Sequence, residues 1–200
     1  MFSAADRPNL DGKAIVTKID RLPPPTAFTV EMAKKTKAGL DLEVHVLAET
    51  LPGPGLMKRG YVKPNIATFG AFELHCDEGE AIGGGDRAPA PLSYLAAGVA
   101  FCLLTHLQGY ADAQGLKTTA LKVEQRMKFQ SRIPGMTAEM GGQMEGHAMG
   151  LETFVIVESE EAPEAIARMV EVAGKACMAA QAVVTAVPAA MTVICNGERL

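Results

Sequence analysis

The apolar stretch from Ala88 to Gly115 limits most strongly what this chain can fold into. Between Ala88 and Thr105 the only ionisable side chains are those of Tyr94 and Cys102. A helix built from this stretch is apolar almost all the way round, which is typical of a helix in a protein core. The stretch has about the length of a membrane span, but two prolines open it and no basic anchors flank it. We therefore expect a buried central helix and no membrane partner.

This helix is predicted to begin at Leu92 or Ser93 and to end at about Ala113. The residues three, four or seven positions away from Cys102 share its face of the helix, and they are Leu95, Gly98, Val99, Thr105, His106 and Gly109. Each of the two glycines lowers helix propensity by about 1 kcal/mol relative to alanine. We expect a second helix, a partner subunit or a substrate to approach the helix backbone at these glycines.

Composition and cysteine spacing narrow the class of protein. Two hundred residues with 48% hydrophobic content suit one domain with an ample core. The net charge of −4, with acidic and basic residues interspersed, argues against a nucleic-acid partner. Four cysteines lie far apart without CxxC or zinc-ligand spacing, so we expect no metal and no cofactor. They are Cys76, Cys102, Cys177 and Cys195. Met1–Asn9 lacks the apolar core of a secretory signal, and we expect a cytoplasmic protein with reduced thiols.

Residues 1–40 are interpreted as an N-terminal extension and residues 41–200 as the main domain. The spacing of Ile15, Ile19 and Leu22 predicts a short helix that the prolines from Pro23 onwards end. A second helix is expected within Thr26–Lys37. Further on, the glycine-rich stretch Gly79–Ala90 is predicted to be a loop, because its glycines do not have the spacing of a phosphate-binding motif.

Alternating apolar and polar residues predict strands on both sides of the apolar helix. The predicted strands are Leu42–Val46, Tyr61–Phe69, Ala71–Asp77, Leu121–Gln130, Met136–Ala148, Leu151–Val157 and Ala189–Cys195. Phe72, Leu74 and Cys76 share one face of the third of these strands, so Cys76 is expected in the core. The strands at 136–148 and 151–157 are expected to be separated by a turn at Gly150.

A second long helix is predicted to begin within Ser159–Pro163. Residues at helical spacing place Met169, Ala173 and Cys177 on one buried stripe. The chain is therefore expected to have an α+β fold, with antiparallel sheets and two long buried central helices. A helix that is apolar on all sides is not covered by one sheet alone, so we expect a homodimer that encloses the helices between two sheets.

The segment HCDEGEAIGGGDRAPAPLSYLAAGVAFC resembles the stretch before the first cysteine of the OsmC/Ohr family of thiol-dependent hydroperoxide reductases. An acidic pair, a Gly-Gly turn and a proline lead into a helix that carries the first cysteine in that family. The second helix, with Cys177 and a final strand after it, resembles the region of the family's second cysteine. The resemblance covers roughly Asp41–Cys195.

The resemblance implies a fold, a reaction and a set of residues. The fold would be an intertwined α+β homodimer, and the reaction would be the reduction of organic hydroperoxides. Cys102 would attack the peroxide as a thiolate and become a sulfenic acid, Cys177 would condense with it to a disulfide, and an external dithiol would reduce that disulfide. The family's active-site arginine comes from an early strand hairpin, where Arg59 is the nearest candidate and Arg87 the second.

Two positions depart from the family pattern. Leu92 follows Pro91 where the family peroxidases carry a glutamate that holds the arginine, and Met178 follows Cys177 where a proline is usual. His106, one turn after Cys102, offers a cation that would favour the thiolate, or it is a hydrogen-bonding histidine of the core. One alternative function is a non-catalytic dimer that binds an apolar small molecule between the two helices, and another is a purely structural or partner-binding dimer.

Overall fold

The computed structural model describes residues 14–24, 27, 29–132 and 145–199. The chain divides into two compact units, Met1–Tyr94 and Leu95–Leu200. Among the described residues, the N-terminal unit is built mainly from strands, and the C-terminal unit combines helices with a long two-stranded ribbon. The predicted boundary between an extension and a main domain at residue 40 stays a prediction.

The N-terminal unit contains a four-stranded antiparallel sheet. Its strands lie in the order β1-β6-β5-β4. They are β1 (Val16–Ile19), β4 (Val44–Thr50), β5 (Lys58–Pro64) and β6 (Ala71–Cys76). The helix predicted around Ile15 to Leu22 is therefore wrong, because Val16–Ile19 pairs with β6 as an edge strand. The β-branched residues of that segment favour a strand, and pairing with β6 supplies the backbone partners.

A short hairpin lies where the second N-terminal helix was predicted. Its strands are β2 (Lys34–Lys35) and β3 (Leu40–Asp41); residues 25, 26 and 28 lie outside the described residues. The buried Asn65 ties the preceding segment to the sheet, since its side chain accepts from the Glu43 N–H at 2.9 Å and donates to the Glu31 carbonyl at 2.7 Å. The helix prediction for this segment is wrong, because Glu31 and Ala33 bond to Asn65 and Lys34–Lys35 pairs with Leu40–Asp41 as a strand.

The buried face of β6 is the polar one. Ala71, His75 and Asp77 are buried, whereas Phe72 is 37% exposed and Cys76 is only partly buried. The predicted core face, with Cys76 inward, is therefore wrong. The physical reason is the Asp77 carboxylate, which is fully buried because the following loop folds over it.

Asp77 organises the glycine-rich loop that leads into the first helix. One oxygen accepts from the Glu78 N–H at 2.9 Å, and the other accepts from the Gly85 N–H at 3.1 Å. The second oxygen also accepts from the backbone N–H and from Nε of Arg87, at 3.4 and 3.3 Å. The backbone packs so closely that a Cβ at Gly84 would overlap the Glu78 carbonyl. The predicted loop is thus an ordered turn around a buried carboxylate.

The C-terminal unit is built around a long antiparallel ribbon and three helices. The helix α1 (Pro91–Gln114) begins just before the unit, and the other elements are β7 (Thr118–Arg132), β8 (Glu145–Ser159), α2 (Pro163–Ala176), α3 (Met178–Val184), β9 (Ile194–Cys195) and β10 (Glu198–Arg199). Residues 133–144 lie outside the described residues, and so does most of the strand predicted at 136–148. The predicted turn at Gly150 is wrong, because this residue lies inside β8 opposite Lys128, next to a β-bulge. Gly150 itself is paired, and the residue without a partner at the bulge is Met149, so the strand continues past the glycine.

The last predicted strand, Ala189–Cys195, is shorter than expected. Only Ile194 and Cys195 form a strand, and they pair with Glu198 and Arg199 in a tight hairpin. Asn196 and Gly197 connect the two strands with positive φ angles of 53° and 87°. This Asn-Gly pair is typical of a two-residue hairpin turn.

The core of the C-terminal unit lies between α1 and α2. The buried residues are Leu103, Leu107, Ala111, Met169, Ala173 and Cys177, and Leu107, Met169 and Cys177 have no exposed surface. Apolar residues on one face of the ribbon pack against this cluster, among them Val123 and its cross-strand partner Val155. The two predicted helices and the half-buried strand at 121–130 are therefore present.

Only one stripe of α1 is buried, which corrects the expectation of burial on all sides. The buried stripe is Val99, Leu103, Leu107 and Ala111. By contrast, Leu92, Leu95 and Phe101 are 50%, 41% and 67% exposed. By length and composition alone this helix could also cross a membrane, although core helices of soluble proteins pass the same test. Among the described residues, the ribbon covers only one side of α1, and Leu92, Leu95 and Phe101 stay exposed on the rest of the helix.

Candidate functional site

Two of the four cysteines come together in the C-terminal unit. Cys102 packs against the buried cluster that contains Cys177, and it is among the groups that raise the pKa of the Cys177 thiol. The two cysteines are separated by 75 positions of sequence (177 − 102). The sequence predicts this pair as site residues, and the fold of the unit brings them to the same cluster.

Cys177 lies at the break between α2 and α3. Its extended backbone, with φ −70° and ψ 96°, ends one helix and caps the next. Its sulfur accepts from the Ala180 N–H at 3.4 Å and donates to the Val99 carbonyl at 3.9 Å. Burial raises the pKa of the Cys177 thiol, and the neighbouring Cys102 raises it further, against the opposing effect of the Ala180 N–H. Cys177 is therefore held as a protonated thiol.

Cys102 lies at the edge of the buried stripe of α1 and is partly exposed. Its neighbours on the helix surface include two glycines, and a Cβ built at Gly98 or Gly109 would meet nothing within 4 Å. The close approach predicted at these glycines is therefore not made within the described part of the chain. The stretch of α1 up to Thr105 carries no charged side chain.

His106 lies one turn after Cys102 on α1 and is partly buried. Residues four apart on a helix are neighbours on its surface, so the imidazole belongs to the same side of α1 as the thiol. The role of His106 as a cation beside Cys102 stays a prediction.

Arg59 is held by two partners of the N-terminal sheet. Its Nε and Nη2 donate to one oxygen of Glu49 at 2.9 and 2.6 Å, and its guanidinium lies over the Tyr61 ring at 5.3 Å from the centroid. The hydrogen bond to Glu49 raises the pKa of Arg59 above its usual value. This guanidinium is a fixed cation with about a third of the side chain exposed.

Arg87 holds the glycine-rich loop. It binds the buried Asp77 through its backbone N–H and its Nε, and its Nη2 is buried without a hydrogen-bond partner among the described residues. Burial opposes ionisation of Asp77, but the three backbone N–H donors and the Arg87 side chain hold the pKa of Asp77 below its usual value. The geometry gives Arg87 a part in folding the loop before α1.

Three residues in these contacts were not singled out from the sequence. Glu49 and Arg59 are cross-strand partners in the β4–β5 hairpin, and opposite charges in register would have been the signal. The position of Asp77, at the end of a strand and before a glycine-rich loop, is typical of an aspartate that accepts hydrogen bonds from loop N–H groups. Tyr94, whose hydroxyl donates to the His75 carbonyl at 2.6 Å, carried no such signal.

The other two cysteines are Cys76 and Cys195. Cys195 is exposed in the C-terminal hairpin. Burial raises the pKa of Cys76, which lies in the N-terminal unit. Within residues 14–24, 27, 29–132 and 145–199, no group of three or more His, Cys, Asp or Glu side chains is placed to hold a metal ion.

Comparisons with known proteins identify the family. The family model described as OsmC-like protein matches residues 83–192, which is more than half of the chain and includes both Cys102 and Cys177. A search of curated proteins gives no match.

Solved structures share the fold. An OsmC-like hydroperoxide resistance protein from Jannaschia sp. CCS1 is 22% identical with a TM-score of 0.50, over 80% of this chain and 97% of that one. An OsmC-like protein from Mycoplasma pneumoniae is 13% identical with a TM-score of 0.50, over 70% and 86%. The predicted α+β class and OsmC-like fold are thereby confirmed, and the chain belongs to the OsmC-like protein family.

Proposed function

We propose that this protein reduces organic hydroperoxides with a pair of cysteines, Cys102 as the attacking thiol and Cys177 as the resolving thiol. Membership of the OsmC-like family suggests a peroxide-related redox function. The observation that carries the finer assignment is the packing of Cys102 against the buried α1–α2 cluster that contains Cys177. The difference in exposure supports these roles, because a peroxide can reach the partly exposed Cys102 more easily than the fully buried Cys177.

The reaction has two steps on the protein. The Cys102 thiolate attacks one oxygen of the hydroperoxide, the O–O bond breaks, Cys102 becomes a sulfenic acid, and the alkoxide leaves and takes a proton. The Cys177 thiol then attacks the sulfenic sulfur, an S–S bond forms, and water leaves. An external dithiol reduces the disulfide and is itself oxidised by two electrons.

Arg59 is the better candidate for the cation that favours the Cys102 thiolate. Its guanidinium is oriented by Glu49 and Tyr61, as a functional arginine requires, whereas Arg87 is committed to the loop around Asp77. Glu49 would take the part of the family glutamate that Leu92 replaces. Arg59→Met is expected to slow peroxide reduction, and a rate equal to that of the wild type would remove Arg59 from the proposal.

Peroxide consumption in the presence of a dithiol tests the proposal. The wild-type protein is expected to turn over an organic hydroperoxide, and Cys102→Ser is expected to abolish turnover. Cys195→Ser is the matched control, because Cys195 is exposed and lies outside the pair. Turnover that survives in Cys102→Ser would overturn the proposal.

A second function is favoured by a different observation. Leu92 and Phe101 expose apolar surface on the helix that carries Cys102, and Leu92 stands where the family carries a glutamate. A protein that binds an apolar small molecule along α1 would use this surface without chemistry at the thiols. Binding of an apolar fluorescent probe that is unchanged in Cys102→Ser, together with absent peroxide turnover, would favour this function.

The predicted homodimer also belongs to the proposal. The exposed apolar residues of α1 and the open surface at Gly98 and Gly109 are the faces that a second copy would cover. Light scattering is expected to give twice the chain mass of 21.1 kDa. A monomer mass at micromolar concentration would contradict the dimer.

A further inference from the structure

We infer that the external reductant attacks the sulfur of Cys102, so that Cys177 is the thiol released first from the disulfide. The inference rests on the proposed function, since it concerns the disulfide that this function forms. It states which sulfur of the disulfide the reductant attacks and which sulfur leaves. The order in which the two cysteines react with peroxide does not determine this.

Access to the two sulfurs differs sharply. Cys177 has no exposed surface, and its sulfur lies between the Val99 carbonyl and the Ala180 N–H. Met169 and Ala173, on the preceding turns of α2, are equally buried. A thiolate has to approach a disulfide along the line of the S–S bond, from the side opposite the leaving sulfur. For attack on Cys177 this approach runs through the packed core.

Approach to Cys102 meets no such obstacle within the described part of the chain. Cys102 is partly exposed, whereas Cys177 is 0% exposed. A route by which a hydroperoxide reaches Cys102 also serves the thiolate of a small reductant. The open side of the disulfide is therefore the Cys102 side.

The exchange balances in two steps. The reductant thiolate bonds to Sγ of Cys102, the S–S bond breaks, and its electron pair leaves on Sγ of Cys177, which takes a proton. Burial raises the pKa of Cys177, and the leaving thiolate therefore takes up a proton readily. The second thiol of the reductant then attacks its own sulfur in the mixed disulfide, Cys102 leaves as a thiolate, and the dithiol is oxidised to a cyclic disulfide.

Trapping the mixed disulfide tests the direction. The disulfide is formed in Cys195→Ser, in one arm with one equivalent of an organic hydroperoxide and in another with diamide, an oxidant that needs no peroxidase activity. The protein is mixed with the monothiol 2-mercaptoethanol, quenched in acid at early times, alkylated and digested with trypsin. Trypsin separates Cys102 from Cys177, while the Cys195→Ser change removes the other cysteine from the Cys177 peptide.

The expected result is 2-mercaptoethanol on Cys102 in at least about ten-fold excess over Cys177, because exchange rates depend on access to the attacked sulfur. An equal distribution, or an excess on Cys177, would overturn the inference. A disulfide formed with diamide but not with hydroperoxide would refute the proposed function alone, and the direction of attack would still be read from the diamide arm. Absence of the disulfide in both arms would overturn both.

Discussion

The buried carboxylate of Asp77 gives the sharpest stability prediction. Asp77→Asn keeps the size of the side chain but removes its charge, and one of its two oxygens becomes an amide NH₂. The three donors that share the second oxygen of Asp77 then face a donor or a weaker acceptor. The glycine-rich loop before α1 is expected to lose its anchor.

The magnitude follows from these contacts. A buried donor left without a partner costs about 1–3 kcal/mol. Breaking a fully buried ion pair costs about 3–5 kcal/mol, but the Arg87 side chain is 23% exposed, so the ion pair contributes less. We expect Asp77→Asn to lower the free energy of unfolding by about 2–3 kcal/mol. With an m-value of about 2 kcal/mol/M, this moves the urea midpoint down by about 1–1.5 M.

Urea unfolding followed by far-UV circular dichroism measures this shift. Asp86→Asn is the matched control, since it makes the same chemical change at an exposed position of the same loop, where the φ of 51° suits asparagine. The pKa of Asp77 is depressed in the folded protein, so its contribution is complete above the unfolded pKa and is lost as the pH falls through the folded pKa. The difference between wild type and Asp77→Asn should therefore shrink below about pH 4. Equal midpoints for the two variants at pH 7 would refute this account of the loop.

Three further outcomes are expected. Because the pKa of Cys177 is raised, the sulfenic acid of Cys102 should persist longer at lower pH, and its capture by dimedone after one equivalent of hydroperoxide should fall as the pH rises; capture that does not change with pH would contradict this. Gly84→Ala should destabilise the protein in urea far more than Gly79→Ala, because only the first methyl group overlaps backbone; similar midpoints would be inconsistent with the tight loop. Gly109→Ala should stabilise an isolated chain by about 1 kcal/mol, and a loss of stability together with a loss of dimer mass would show that a partner packs there.

The sequence predicts the C-terminal unit well because its patterns are long and local. The apolar run of α1, the stripe that includes Met169 and Cys177, and the alternation at 121–130 each extend over several turns or residue pairs. The packing of Cys102 against the cluster that contains Cys177 then follows from packing two helices by their apolar stripes.

The errors arise where a tertiary partner decides between two local patterns. Ile15, Ile19 and Leu22 have helical spacing, yet pairing with β6 makes the segment a strand. Gly150 has the residue type of a turn, but it pairs with Lys128 and the partner strand continues past it. Cys76 lies on the more apolar face of β6, while the buried Asp77 and its loop reverse the choice of face. The ion pair between Glu49 and Arg59 depends on the register of β4 against β5. This register cannot be predicted from residue spacing along the chain.

Intact-mass measurement and thiol counting after one equivalent of an organic hydroperoxide test the central claim most directly. The account predicts the loss of two thiols per chain, with peptide mapping that links Cys102 to Cys177. It also predicts that Cys177→Ser stops at a sulfenic acid on Cys102, and that Cys102→Ser keeps all its thiols. Unchanged thiols in the wild-type protein, or a disulfide that joins Cys76 or Cys195 instead, would contradict it.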